Sequence, residues 1–152
     1  MPKIDLDAIP EENRTGYPPQ FAGLVAGRFR KRIARASGLT QFGVNLCRLA
    51  PGAASSQRHW HEAEDELVFV LAGEATLVED GGETILKPGD AATFKAGVPN
   101  GHHIVNRSAS DVVILEVGTR SASDSGEYPD IDLAFVAEGG AVRYLRKDGT
   151  PY

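Results

Sequence analysis

The chain carries four histidines, and all of them fall in two short stretches, "HWHEAEDE" at 59–66 and "HHIVN" at 102–106. In an extended strand His59 and His61 point to the same face, because side chains alternate along a strand. Two imidazoles side by side are half of a coordination sphere for a divalent first-row metal. A carboxylate at Glu66 suits the same ion. One more imidazole from "HHIVN", His102 or His103, would close a set of three nitrogens and one oxygen. Such a set leaves one or two positions open, at which a bound ion polarises a carbonyl or activates dioxygen. The expected cofactor is one divalent transition metal ion, and these donors accept Zn, Fe, Mn, Ni or Co. Glu66 has a second available role, as a supporting group or a base rather than a ligand.

Strands must position these residues. From residue 40 onward the chain is a series of short β-prone runs separated by turn residues, with no convincing 3.6-residue apolar period. "TQFGVNLCRLA" ends at Pro51-Gly52, "ELVFVLA" (66–72) ends at Gly73, and "EATLVE" follows. Asp80-Gly81-Gly82 is a hairpin signal before "ETILK", and Pro88-Gly89-Asp90 is a turn before "AATFKA". "HHIVN" and "DVVILEVG" (111–118) complete the series. Seventeen glycines and nine prolines in 152 residues suit this many turns. Regular short strands with Gly/Pro turns predict an antiparallel sandwich or barrel.

With strands in place, the motifs resemble the two signatures of the cupin superfamily. The first is carried by Gly52, His59, His61, Glu66 and Gly73 in "GAASSQRHWHEAEDELVFVLAG". The second is carried by Gly89, Gly97, His102 and Asn106 in "GDAATFKAGVPNGHHIVN", with Lys95 where that signature usually has proline. The four-residue spacing to Asn106 selects His102 over His103. The resemblance implies an all-β, single-domain cupin-type antiparallel β-barrel, a jelly roll or double-stranded β-helix, with metal ligands His59, His61, Glu66 and His102. It divides the chain into an N-terminal arm with the first edge strand or strands (1–39), a barrel core (40–118) and a C-terminal tail (119–152) packed on the barrel or a partner. The tail contains a polar stretch, "TRSASDSGEYPD", expected to be a loop, and two further candidate strands in "IDLAFVA" and "AVRYLRKDGTPY".

Single-domain proteins of this kind are often assigned sugar-phosphate isomerase activity, so the leading expectation is a metal-dependent isomerase or epimerase with a small-molecule substrate. An Fe-dependent dioxygenase and a non-catalytic receptor or sensor for a small metabolite are the alternatives, because the fold hosts many functions. A homodimer is expected, formed by edge strands or exchanged arms.

Charge and composition narrow the partners. A net charge of −5 opposes binding to nucleic acid or anionic membrane. No apolar run is long enough to span a bilayer, and the N-terminus lacks the basic start and apolar stretch of a secretion signal. The lone cysteine, Cys47, is expected as a buried structural thiol, and a reducing cytoplasmic setting fits it.

Other residues have plainer expected roles. The basic run "GRFRKRIAR" reads as a solvated strand or arm, with pairing to the acidic "EAEDE" as a variant. Trp60 and Arg58 point away from the histidine face, Gln57 shares it, and Lys95 at a strand end is solvated. Tyr128, Tyr144 and Tyr152 lie in the tail, where any of them can reach the barrel mouth and supply a base.

Overall fold

The computed structural model describes residues 3–152, and those residues are almost entirely β. Its strands are β1 (Arg28–Arg32), β2 (Phe42–Leu49), β3 (Glu66–Ala72), β4 (Ala75–Glu79), β5 (Gly82–Leu86), β6 (Ala91–Phe94), β7 (His103–Val105), β8 (Val112–Thr119), β9 (Ser123–Tyr128), β10 (Leu133–Glu138) and β11 (Ala141–Leu145). One helical turn, α1 (Ile33–Ala36), joins β1 to β2. All pairings are antiparallel, in sheets ordered β1-β2-β8-β3-β6, β5-β4-β7 and β11-β10-β9. Among the described residues no helix is long and apolar enough to cross a membrane.

The first two sheets face each other across one apolar core. Cys47 and Leu49 from β2, Val68 and Val70 from β3, Leu77 from β4, Ile104 from β7 and Ile114 from β8 form it. Each fully buried Val, Leu or Ile contributes about 1.5–3 kcal/mol relative to leaving it exposed. The period-2 pattern in β3 decides where Glu66 goes: it shares its face with buried Val68 and Val70, so its carboxylate is aimed into the barrel interior. At the end of β3 the chain turns through Gly73 at φ 80°. A Cβ there would lie 2.6 Å from the carbonyl oxygen of Asp111, so both the backbone angle and the close approach require glycine.

Two expectations from the sequence are corrected. The stretch read as a polar loop contains a six-residue strand, β9, whose alternate residues Asp124, Gly126 and Tyr128 are inward. The basic run is not solvated: Arg28 is 6% exposed, and Arg30 is half-buried against Glu116. A second apolar cluster, built on Tyr128, Leu133 and Phe135, gathers Tyr17, Phe21 and Tyr144 around it. The C-terminal sheet thereby packs on the segment that precedes β1.

Candidate metal centre

The segment carrying the histidine pair is held on both edges. His59 exchanges two backbone hydrogen bonds with His102, at 3.2 and 2.9 Å, which extends the line of β7. On the other edge, the amides of Trp60 and Glu62 donate to the carbonyls of Glu127 and Ser125 in β9. The carbonyl of His61 accepts from Gly97 at 2.8 Å. Two histidine stretches far apart in sequence are therefore neighbours through the backbone itself.

The side chains of His59, His61 and Glu66 converge. His59 Nε2 and His61 Nε2 are 3.0 Å apart. Glu66 Oε2 lies 3.5 Å from His61 Nε2 and 4.0 Å from His59 Nε2. The donor atoms of His59, His61 and Glu66 all fall within 4.8 Å of one another, a grouping that can hold a metal ion. His102 adjoins this group through Glu66, with its Nε2 2.9 Å from the same Oε2 and its Nδ1 3.3 Å from the carbonyl of Asn100. Its ring stacks flat on Phe94, with centroids 3.5 Å apart. His103 lies apart, its Nδ1 bonded to the carbonyl of Ser56 at 2.9 Å.

The tautomers favour a cation. His59 Nδ1 faces the carbonyl of Gln57 at 2.9 Å and His61 Nδ1 faces the carboxylate of Asp124 at 2.5 Å. Both acceptors require an N–H at Nδ1, so in the neutral rings both Nε2 atoms carry lone pairs. Two lone pairs aimed at each other across 3.0 Å repel, and a cation between them removes the repulsion. Two nitrogens bound at right angles, each about 2.1 Å from one ion, would be separated by about 3 Å, so the donors fit the group. Burial pushes His59 down to about 3, which keeps the ring neutral. For Glu66, burial acts upward, but the hydrogen bond from His102 and the nearby imidazoles outweigh it and hold the carboxyl at about 2. Neutral nitrogens beside an ionised carboxylate are the donor states that a divalent ion needs.

Asp124 is the site residue that sequence reasoning missed. Its side chain is 3% exposed, one oxygen on His61 Nδ1 and the other accepting from the amide of Ala63 at 2.8 Å. A carboxylate behind a ligand histidine fixes the ring and raises its basicity. Tyr128 stacks on His59 at 5.5 Å, and Phe135 meets His61 edge-on at 5.2 Å.

Other expectations divide. Gln57 is turned toward the N-terminal segment, donating to the carbonyl of Phe21 at 2.8 Å, rather than lining the histidine face. Arg58 points outward to Asp130 and Asp80. Trp60 and Lys95 line a second cavity, which meets the first at His102 and Phe94. The tail tyrosines are poor bases: burial drives Tyr128 upward, burial lifts Tyr144 to about 12, and the Tyr152 hydroxyl is bonded to the carbonyl of Asp132.

The first cavity, of about 230 Å³, is lined by His59, Glu66 and His102 and also by arginines from β1. An antiparallel barrel with two histidine stretches and a glutamate converging inside it defines a class. The chain belongs to the cupin superfamily. Residues 45–118 match the Cupin domain family. A crystal structure from Silicibacter pomeroyi DSS-3, named a sugar phosphate isomerase from a cupin superfamily, is 44% identical with a TM-score of 0.96. The match covers 99% of this chain and 96% of that one. A candidate sugar phosphate isomerase from Acidithiobacillus ferrooxidans is 28% identical, with a TM-score of 0.75 over 84% of this chain and 82% of that one. A predicted oxalate decarboxylase from Thermotoga maritima shares the fold at 21% identity and a TM-score of 0.63, covering 78% of this chain and 99% of that one. A search of curated proteins returned no match.

Proposed function

We propose that the protein is a metal-dependent isomerase or epimerase acting on a small sugar phosphate, with His59, His61, Glu66 and His102 holding one divalent ion. The observation that carries this reading is the 3.0 Å approach of His59 Nε2 and His61 Nε2 beside Glu66, with both Nδ1 positions already committed to acceptors. The full-length likeness to a protein named a sugar phosphate isomerase supports the reaction class.

When bound, the ion supplies a Lewis acid for a substrate carbonyl and for the charge that develops as an enediol forms. The side chains do the rest. Glu66 makes its contacts to all three imidazoles through Oε2, and the residue lines the cavity. In this reading the Glu66 carboxylate takes the proton from the carbon beside the carbonyl and returns it to the carbonyl carbon, while the hydroxyl proton passes from one substrate oxygen to the other. The exchange is redox-neutral and needs no co-reactant. Asp124 keeps the His61 ring in register, and Phe94 does the same for His102. His102 would take the ion through Nε2, with its Nδ1–H directed at the carbonyl of Asn100.

The proposal includes a homodimer, supported by exposed apolar side chains on strands, among them Phe42, Leu71 and Ile85. A monomeric mass at micromolar concentration removes that part.

The test is solvent deuterium exchange. Protein loaded with Mn, Zn or Fe is incubated in D2O with a panel of aldose and ketose phosphates. The expected result is deuterium at the carbon next to the carbonyl, lost in His59→Ala/His61→Ala. No exchange across the panel contradicts the reading. Fe-dependent oxygen uptake in its place selects a dioxygenase, and tight binding without turnover selects a receptor.

A further inference from the structure

Four arginines line the cavity that also holds His59, Glu66 and His102: Arg28, Arg30, Arg32 and Arg120. The first three alternate along β1 and so share one face. Three of the four have a carboxylate. Arg30 makes two bonds of 2.7 Å to Glu116, Arg32 meets Glu12 at 3.0 Å, and Arg120 lies 3.6 Å from Glu64. Arg28, the most buried of the set, has none among the described residues. It donates to two carbonyl oxygens, of Ser55 at 2.7 Å and of Arg14 at 3.3 Å.

A buried guanidinium without a counter-charge is unusual, since buried charges are nearly always paired. The neighbourhood makes it more so. Arg30 Nη2 reaches the same Ser55 carbonyl at 3.1 Å, so two guanidinium groups converge on one neutral oxygen with one carboxylate between them. The next residue, Ser56, is 3.3 Å from His59 Nδ1 through its hydroxyl, which puts this excess positive charge beside the imidazole cluster. A guanidinium has five donors in a planar fork, and Arg28 uses two of its five. The fork matches a phosphate or carboxylate two oxygens at a time.

We propose that Arg28, with Arg30 beside it, forms an oxyanion subsite that takes the phosphate of the substrate while its carbonyl end lies at the His59–Glu66 cluster. This rests on the isomerase reading for the substrate class and adds the residues that select it. Burial, and then the charge on Arg30, disfavour the charged form of Arg28 more than the Glu116 carboxylate, bonded to Arg30, favours it, a cost that an incoming anion offsets. A carboxylate offers the same fork two oxygens, so the experiment must tell phosphate from carboxylate.

The experiment is calorimetric titration of the full chain with inorganic phosphate, and separately with oxalate, in metal-loaded and chelator-treated protein. Arg28→Met and Arg28→Lys are compared with the wild type, with metal content measured on each. The expected result is saturable phosphate binding that survives chelation and exceeds oxalate binding. It should weaken at least tenfold in Arg28→Met and less in Arg28→Lys, with metal content unchanged. Should Arg28→Met fail to fold, Arg28→Lys and the chelated wild type still decide. Phosphate binding that vanishes with the metal, that is matched by oxalate, or that is unchanged in Arg28→Lys and any folded Arg28→Met overturns the subsite. Phosphate binding without turnover of any sugar phosphate defeats the isomerase reading alone. Equal turnover by wild type and Arg28→Met defeats the subsite alone.

Discussion

Asp124 and His61, 63 residues apart in sequence, meet at 2.5 Å, carboxylate oxygen to Nδ1. The contact joins the C-terminal sheet to the histidine pair, because Asp124 lies on β9 and the same carboxylate also takes the amide of Ala63 at 2.8 Å. Removing this clamp should loosen the ring without removing a ligand. Asp124→Ala is expected to weaken metal binding roughly 10–100-fold, and Asp124→Asn, which keeps an acceptor, less so. Competition titration against a chromophoric chelator measures it. An unchanged affinity in folded Asp124→Ala would show that β9 does not support the site.

The approach of β9 to the segment carrying His59 and His61 also depends on Gly126. A Cβ there would collide with the carbonyl oxygen of Trp60 and lie 2.6 Å from the Phe135 ring. Trp60 sits between His59 and His61, so backbone has to move. Gly126→Ala is expected to cost about 1–3 kcal/mol or more and to lower metal affinity as well. Thermal unfolding and the same chelator competition test both effects. A variant with wild-type values for both would contradict the close packing of β9 on the Trp60 backbone.

Arg58 ties the loop after β9 to the β4–β5 turn, pairing with both Asp130 and Asp80. The hydrogen bond from Arg58 holds Asp130 below its usual 3.8. A carboxyl lowered in the folded state contributes stability above its unfolded pKa, and that contribution is lost as pH falls through the folded value. Glu11, held below 4.5 chiefly by its hydrogen bond with Arg48, follows the same sign. The midpoint of thermal unfolding should therefore drop between about pH 5 and 3. Arg58→Met should lower it at pH 7 and flatten the acid limb; an acid limb as steep as wild type would contradict this.

Cys47 lies in the middle of β2 with no exposed surface, and burial pushes its thiol far above the ordinary range. The thiolate is the reactive form. Labelling by a thiol reagent at pH 8 should be slow in native protein and fast in denaturant, at least 100-fold different. Rapid native labelling would mean that the β2–β8 face opens easily.

How much of this was legible in the sequence depends on what each residue faces. β3 was plain because Val68 and Val70 alternate toward an apolar core, and the same alternation carried Glu66 inward. That the two histidine stretches meet was readable from the motifs, but the antiparallel bridge of His59 with His102 was not, because three residues of β7 and one isolated bridge leave no periodic signal. β9 was invisible for a physical reason. Of its inward residues, Asp124 faces a histidine, Gly126 has no side chain and only Tyr128 joins an apolar cluster, so no hydrophobic period marks the strand. The β1 arginines were misread similarly: alternation put them along a polar cavity, where charge reads as solvent exposure. Polar interiors hide strands from a test built on hydrophobicity.

The central claim is that His59, His61, Glu66 and His102 hold one ion, and elemental analysis tests it most directly. Protein purified without added metal should contain close to one equivalent of a divalent transition metal per chain. His59→Ala/His61→Ala, folded by circular dichroism, should contain none. Wild-type protein that stays free of metal even after incubation with Zn, Fe or Mn, or a double variant that retains a full equivalent, would contradict the account.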